Sequence, residues 1–320
     1  MCKAACMVKK KTVLAKELLQ CERKACLIKE RRASRPAAHN GGTVMGTNFH
    51  THTVRCHHAA GTEREFIEAA LAAGFTELGF SDHSPYPFSD GHVSHFRMAL
   101  EETAEYFETL RALQAEYADR IAIHIGFEAE YYPRYFEAMR EHVRAHGCDY
   151  LILGQHFTSP EINPDAFFVM KPHDDKEQLT KYADLIVEAI NTGVFTYVAH
   201  PDAFYFTGDS DFYKEQMKKI CITSKEKDIP VELNFLGIRD NRHYPNELFW
   251  QVAGEVGCPV VFGFDAHNPL SAFDNQSFAR ANELVNKFNL NYIGKPDIIL
   301  IQEKKPNITL KESDFYRTLL

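Results

Sequence analysis

The chain has 320 residues, 45% of them hydrophobic and 25% charged, the composition of an ordinary globular protein. That length allows one large α/β domain or two small ones, and no run of about 18 apolar residues offers a membrane span. Residues 1–45 hold eleven Lys and Arg against three acids, so with a net charge of −8 overall, residues 46–320 carry −16. A body this acidic argues against nucleic acid as a partner, because phosphate contacts need clustered Lys and Arg.

Residues 1–45 read as a basic leader outside the core. Its apolar pieces are too short for a signal-peptide core, and its near lack of serine speaks against a transit peptide. Ala and Lys between Lys9 and Glu30 favour a helix. Cys2, Cys6, Cys21 and Cys26 lack the tight pairing of a zinc site. A chain starting at Met45 would keep every motif described below, so residues 1–44 are expected to be an appended or mis-started segment, dispensable for function. The eight cysteines are scattered and no secretion signal precedes them, which points to free thiols in the reducing cytoplasm.

From residue 46 the chain alternates between strands and helices. Phe49 to Thr53 opens the pattern. Thr62 to Glu65 is a capping box, starting a helix that runs to Ala73 and stops at Gly74. Strands follow at Glu77–Phe80, Ile121–Ile125, Tyr150–Leu153, Phe195–Val198, Pro230–Asn234 and Pro259–Phe262. Helices are expected at Met98–Tyr117, Arg134–His146, Lys176–Asn191, Phe212–Lys227, Pro245–Glu255 and Gln276–Phe288. Seven strand–helix units imply a parallel sheet of the α/β class.

In a parallel α/β barrel, the active site lies where the strands end. His50 and His52 sit two apart, so on a strand both imidazoles would face one point. Six of the seven strands end in His, Asp or Glu. His124, His142, His146 and His173 fall elsewhere in the pattern and read as structural. The candidate metal ligands are His50, His52, His58, His83, Glu128, His156, His200, Asp265 and His267. So many donors exceed one tetrahedral ion and suit two or three divalent ions, with Glu128 or Asp265 bridging. Imidazole and carboxylate suit Zn, Fe, Mn or Co, and no cysteine belongs to the set.

The motifs His50-Thr51-His52 with His58, Ser81-Asp82-His83, Gly126-Phe127-Glu128, Gly154-Gln155-His156, Ala199-His200-Pro201 and Phe264-Asp265-Ala266-His267 resemble the polymerase-and-histidinol-phosphatase (PHP) superfamily. Asp82-His83-Ser84-Pro85, Ala199-His200-Pro201-Asp202 and Gly237-Ile238-Arg239 resemble its stand-alone histidinol-phosphatase branch. The resemblance covers roughly residues 46–300 and leaves a C-terminal tail, 301–320, outside. It implies a distorted (β/α)7 barrel with a trinuclear metal site at the C-terminal ends of the strands, and it favours His58 over the adjacent His57 as ligand.

The implied activity is that of a metal-dependent phosphomonoesterase acting on a small phosphorylated metabolite. The first substrate expected is L-histidinol phosphate, in histidine biosynthesis. Two ions about 3.5–4 Å apart can share a hydroxide that attacks phosphorus, and they clamp the attacking and leaving oxygens. Arg239, past the sixth strand, is the candidate guanidinium for phosphate oxygens. Arg97, with His92 and His95, is a second candidate substrate contact. Asp202 is the candidate general acid or partner of His200. Two alternatives stand beside this reading. One is a phosphatase or phosphodiesterase for a nucleotide or sugar phosphate; the other is a non-catalytic metal-binding module.

Overall fold

The structure, a computed structural model, describes residues 46–301 apart from 89, 90, 93, 165 and 271–273. The basic leader at 1–45 lies outside the described residues, as does the tail except for residue 301. Eight strands form one parallel sheet in chain order: β1 Thr47–Asn48, β2 Glu77–His83, β3 Ala122–Ala129, β4 Tyr150–Leu153, β5 Phe195–Val198, β6 Val231–Asn234, β7 Pro259–Gly263 and β8 Asn291–Tyr292. The residues of β4 to β7 are all buried, as in a sheet covered on both faces.

The sheet closes just beyond the ends of its strands. Thr51, following β1, bridges in parallel to Ala266, following β7. His52 N–H donates to the Ala266 carbonyl at 2.9 Å, and Ala266 N–H to the His50 carbonyl at 3.1 Å. Ser81 N–H donates to the Thr51 carbonyl at 2.8 Å, so the same segment also continues onto β2. Seven strands therefore curl into the expected distorted barrel. β8 is an addition that the sequence pattern did not show, pairing beside the start of β7 through Pro259 and Val260.

The helices between strands are α1 Glu63–Ala72, α2 Thr103–Glu116, α3 Pro133–Ala145, α4 Lys176–Thr192, α5 Ser210–Lys227, α6 Phe235–Arg239, α7 Glu247–Val256 and α8 Asn275–Phe288. Thr62 and Glu65 form the expected capping box of α1. Asp175, Asp209, Asn246 and Asp274 cap α4, α5, α7 and α8, each accepting from a backbone N–H of the first turn. The short helix α6 was not expected. It forms because Asn234, the last residue of β6, accepts the Gly237 N–H at 3.1 Å. Among the described residues, no helix is long and apolar enough to cross a membrane.

Phe66, Leu110, Met139, Ile186, Met217 and Trp250 bring the helices onto the outer face of the sheet. Inside the barrel, Phe49, Tyr150, Ile152, Tyr197, Ala199 and Val261 form a separate apolar floor. Tyr150 Oη donates from this floor to the carbonyls of Phe49 and Phe80, at 2.9 and 3.1 Å. That fixes the backbone immediately before His50 and in the middle of β2.

Candidate metal centre

Topology brings the nine expected donors to one mouth. His50 and His52 flank the bridge at Thr51, and their ring centroids are 5.2 Å apart. His58 follows a 3-10 turn, Val54–Cys56, started by Thr53. His83 and Glu128 lie within β2 and β3, paired across the sheet, since both strands run further than the apolar pattern indicated. His156, His200, Asp265 and His267 follow β4, β5 and β7. His200 and Asp265 take positive φ, 29° and 48°, a conformation rare for residues with a side chain and concentrated at functional sites.

Ligand atoms of these residues fall into overlapping groups whose members lie within 4.8 Å of one another: His58, His83 and His267; His83, Glu128 and His156; His50, His52 and Glu128; His50, His200 and Asp265. Glu128 reaches the middle of the cluster because Gly154 leaves room for it: a Cβ there would stand 1.7 Å from Glu128 Oε1. A further group contains His52, Cys56 and His267. The sequence reading left cysteine out of the ligand set, and the 3-10 turn brings Cys56 beside these imidazoles. Burial and nearby Asp82 push the Cys56 thiol far above its ordinary pKa, so it stands there as a neutral thiol.

The electrostatics are those of a tightly coupled set. Burial lowers the pKa of His50 and His52, but carboxylates outweigh it. Glu232, Asp265 and Glu128 raise His50 well above its ordinary value, and Asp265 and Asp82 carry His52 to about 9. His58 goes the other way, to about 4, through burial and the neighbouring His267 and His52. Burial pushes Glu128 and Asp265 up, yet the imidazoles around them hold both well below the carboxylate range.

Divalent ions fit this set. Buried polar atoms normally have a hydrogen-bond partner. His50 Nε2, His52 Nε2, Glu128 Oε2, His200 Nδ1 and Asp265 Oδ1 are buried and have none among the described residues. Unpaired lone pairs gathered at one point are what a cation needs. Behind the rings, acceptors face the opposite nitrogens: the Cys56 carbonyl bonds His58 Nδ1 at 2.6 Å, and the carboxylates of Asp82 and Glu130 stand 3.5 and 3.4 Å from the Nδ1 atoms of His52 and His156. The sequence reading assigned no role to Glu130 or to Asp82, although each belongs to or adjoins a ligand motif.

Above the donors opens a cavity of about 460 Å³. Its wall is apolar, built from Phe96, Phe157, Phe168, Met170 and Leu236, and its polar rim is Asp240, Arg242 and Tyr244. The expected substrate contacts need correction. Arg97 is buried: it donates to the Ser84 carbonyl at 3.0 Å, to Glu161 and to Glu130, and it stacks on Phe96. His92 lies 3.4 Å from Glu161, and His95 is exposed. Arg239 sits behind the mouth, 3.4 Å from Asp274 and within 3.3 and 3.5 Å of the carbonyls of Phe264 and Asp265. Asp202 accepts from Trp250 Nε1 at 2.9 Å and from Asn246 N–H at 2.7 Å, so its carboxylate fastens the start of α7. None of Arg97, His92, His95, Arg239 or Asp202 lines the cavity. The guanidinium at the cavity is Arg242, three residues past Arg239, which sequence reasoning missed.

The PHP domain family profile matches residues 48–235. A probable histidinol-phosphatase of Deinococcus radiodurans is 30% identical over 224 residues, covering 69% of this chain and 85% of the relative. The histidinol-phosphatase of Bacillus subtilis is 22% identical over 252 residues, covering 68% and 92%. Among solved structures, histidinol phosphate phosphatase of Lactococcus lactis, complexed with zinc, L-histidinol and phosphate, superposes with a TM-score of 0.61. That match has 20% identity and covers 80% of this chain and all of the other. The chain belongs to the PHP domain family, on its histidinol-phosphatase-like branch, and is a metal-dependent phosphatase.

Proposed function

We propose that the chain hydrolyses a small phosphate monoester, L-histidinol phosphate first, to the alcohol and inorganic phosphate, as a cytoplasmic step of histidine biosynthesis. The observation that carries the reading is a cluster of nine metal-type donors, seven of which line one cavity together with a guanidinium and an apolar wall. His50, His52, His58, His83, Glu128, His156, His200, Asp265 and His267 would hold two or three ions of the Zn, Fe, Mn or Co type. Such ions, when bound, supply a water of lowered pKa and neutralise charge on the phosphoryl oxygens. Arg242 offers N–H donors to oxygens on the outer side of the phosphate, and its own position is held by Tyr244 Oη and Asp240, each at 3.1 Å. Phe96 and Phe157, stacked with centroids 5.7 Å apart, present a flat apolar wall to a planar ring such as imidazole and exclude water from it. Asp240, the rim carboxylate, is the group suited to the alkylammonium of histidinol.

The test is phosphate release by zinc-loaded protein from L-histidinol phosphate, nucleoside monophosphates, a sugar phosphate and an aryl phosphate. The expected result is a kcat/KM for histidinol phosphate at least about tenfold above the rest, lost after chelation and restored by zinc. Preference for a nucleotide or sugar phosphate would replace the substrate. A protein that binds zinc and releases phosphate from none of them would be a non-catalytic metal-binding module.

A further inference from the structure

Strand β6 carries none of the expected ligands, yet its alternate residues Glu232 and Asn234 are buried at the back of the metal centre, exposed by 0% and 1%. A carboxylate in a sheet buried on both faces is costly unless its oxygens find donors. Glu232 finds three. Its Oε1 lies 2.8 Å from His50 Nδ1, and its Oε2 accepts from His200 N–H at 3.0 Å and from Asn234 Nδ2 at 2.9 Å. Asn234 Nδ2 also lies 3.1 Å from Asp265 Oδ2. One carboxylate–amide pair thus touches three of the nine ligand residues from the side away from the cavity. The neighbouring strand is cut to fit it, since a Cβ on Gly263 would stand 1.7 Å from Glu232 Oε1.

We infer that Glu232 is a positioning residue that sets the tautomer of His50 and so aims its lone pair at the metal centre. A carboxylate can only accept hydrogen bonds. The neutral imidazole that faces it therefore carries its proton on Nδ1, and the lone pair is left on Nε2. His50 Nε2 is the atom that points inward, 3.5 Å from Glu128 Oε2 and 3.5 Å from Asp265 Oδ1, with no hydrogen-bond partner among the described residues. His58 shows the same rule with a backbone carbonyl in place of the carboxylate. At His50 the second oxygen does a further job, because it fastens the backbone N–H of His200, a residue held at positive φ. The inference rests on the metal-centre reading and does not depend on which ester is the substrate.

Glu232→Gln is the informative variant because it keeps the volume and changes only which end can accept. His200 N–H and Asn234 Nδ2 both donate to the Oε2 position, so the amide oxygen settles there. The amide NH2 then faces His50 Nδ1, which must accept, and the ring proton moves to Nε2. Zinc titration of the chelated protein should show one site weakened by about 10–100-fold, the range for a lost outer carboxylate on a metal-binding His. A merely structural role for Glu232 would weaken all the zinc sites together, whereas a misplaced ring proton on His50 weakens the site that uses His50 and leaves the others near wild type. Glu232→Asp, still a pure acceptor but shorter, should recover part of the zinc affinity. In zinc-loaded wild type, long-range ¹⁵N–¹H imidazole spectra should show His50 protonated at Nδ1. Wild-type zinc affinity at every site of Glu232→Gln would overturn the inference. So would His50 protonated at Nε2 in wild type, a measurement that holds whether or not the variant folds. Wild-type protein that takes up no zinc would overturn the metal-centre reading and this inference together.

Discussion

The segments that follow β2 and β6 both carry arginine over the barrel mouth, and they use it in opposite ways. After β2, Arg97 turns inward and is 3% exposed. Its guanidinium meets Glu130, Glu161 and the Ser84 carbonyl, with Phe96 and Tyr86 on its faces at 4.5 and 5.1 Å. After β6, Arg242 stays at the rim of the cavity, and among the described residues its guanidinium bonds the Tyr244 hydroxyl and Asp240. The difference teaches that positive charge near a mouth is a poor guide to phosphate binding. What counts is whether the N–H donors remain available once the protein's own acceptors are served.

The largest effect that would sharpen this contrast is loss of Arg97. Arg97→Ala leaves Glu130 and Glu161 facing each other in a buried site, and removing one partner of a buried ion pair costs about 3–5 kcal/mol. Chemical unfolding of the chelated protein should report that loss. The pH dependence has a definite sign. Burial would raise the Glu130 pKa, but Arg97, His156 and Tyr132 together lower it. A carboxylate with a depressed folded pKa contributes stability above its unfolded value of about 4.3, lost as pH falls through the folded value. The deficit of Arg97→Ala should therefore shrink as pH falls below about 4. A variant as stable as wild type with poor turnover would make the β2 segment a substrate loop after all.

Arg242→Ala should give the converse result. A hydrogen bond to a charged group contributes about 1.5–3 kcal/mol, so kcat/KM for histidinol phosphate should fall about 10- to 150-fold. Zinc content should stay at wild type and the unfolding midpoint close to it, because the Arg242–Asp240 pair is solvent-exposed and the Tyr244 hydroxyl loses one neutral acceptor role. Arg242→Lys should recover part of the loss, keeping the charge without the planar fork. Unchanged kinetics would erase the contrast between the two segments.

What the sequence made legible follows from topology. Parallel strands all end at one mouth, so a histidine or acid after an apolar run is delivered to the same place as its counterparts. The residues behind them were harder. Val231-Glu232-Leu233-Asn234 has the alternation of a half-exposed strand, yet its neighbours β5 and β7 carry no charged residue and are buried throughout. A strand between them has no solvent face, so Glu232 and Asn234 had to point into a polar interior. That signal was present and went unused. Glu130 gave a similar signal, two residues past Glu128. β8 was not legible because two residues carry no periodicity. Arg242 was missed for a different reason, which bears on the smallest effect expected.

Arg239 was placed at the mouth on the premise that a residue soon after a strand end lies beside the ligands. Asn234 breaks that premise by capping α6, and a helix turns each successive side chain by about 100°. After that turn, Arg239 faces the β7–α8 connection, bracing the carbonyls of Phe264 and Asp265 at 3.3 and 3.5 Å, while Arg242, beyond the helix, returns to the cavity. These contacts are long, and the pairing with Asp274 at 3.4 Å is partly solvated, so each contributes little. Arg239→Ala should lower stability by about 0.5–1 kcal/mol, in the range of one neutral hydrogen bond. Any change in kcat/KM should stay within about threefold, arising from a looser backbone at Asp265. Zinc affinity is the measurement that locates the cause. A small loss there with a small kinetic loss places Arg239 behind Asp265. A kinetic loss as large as that of Arg242→Ala, with zinc affinity intact, would put Arg239 on the phosphate and give the β6 segment two working guanidinium groups.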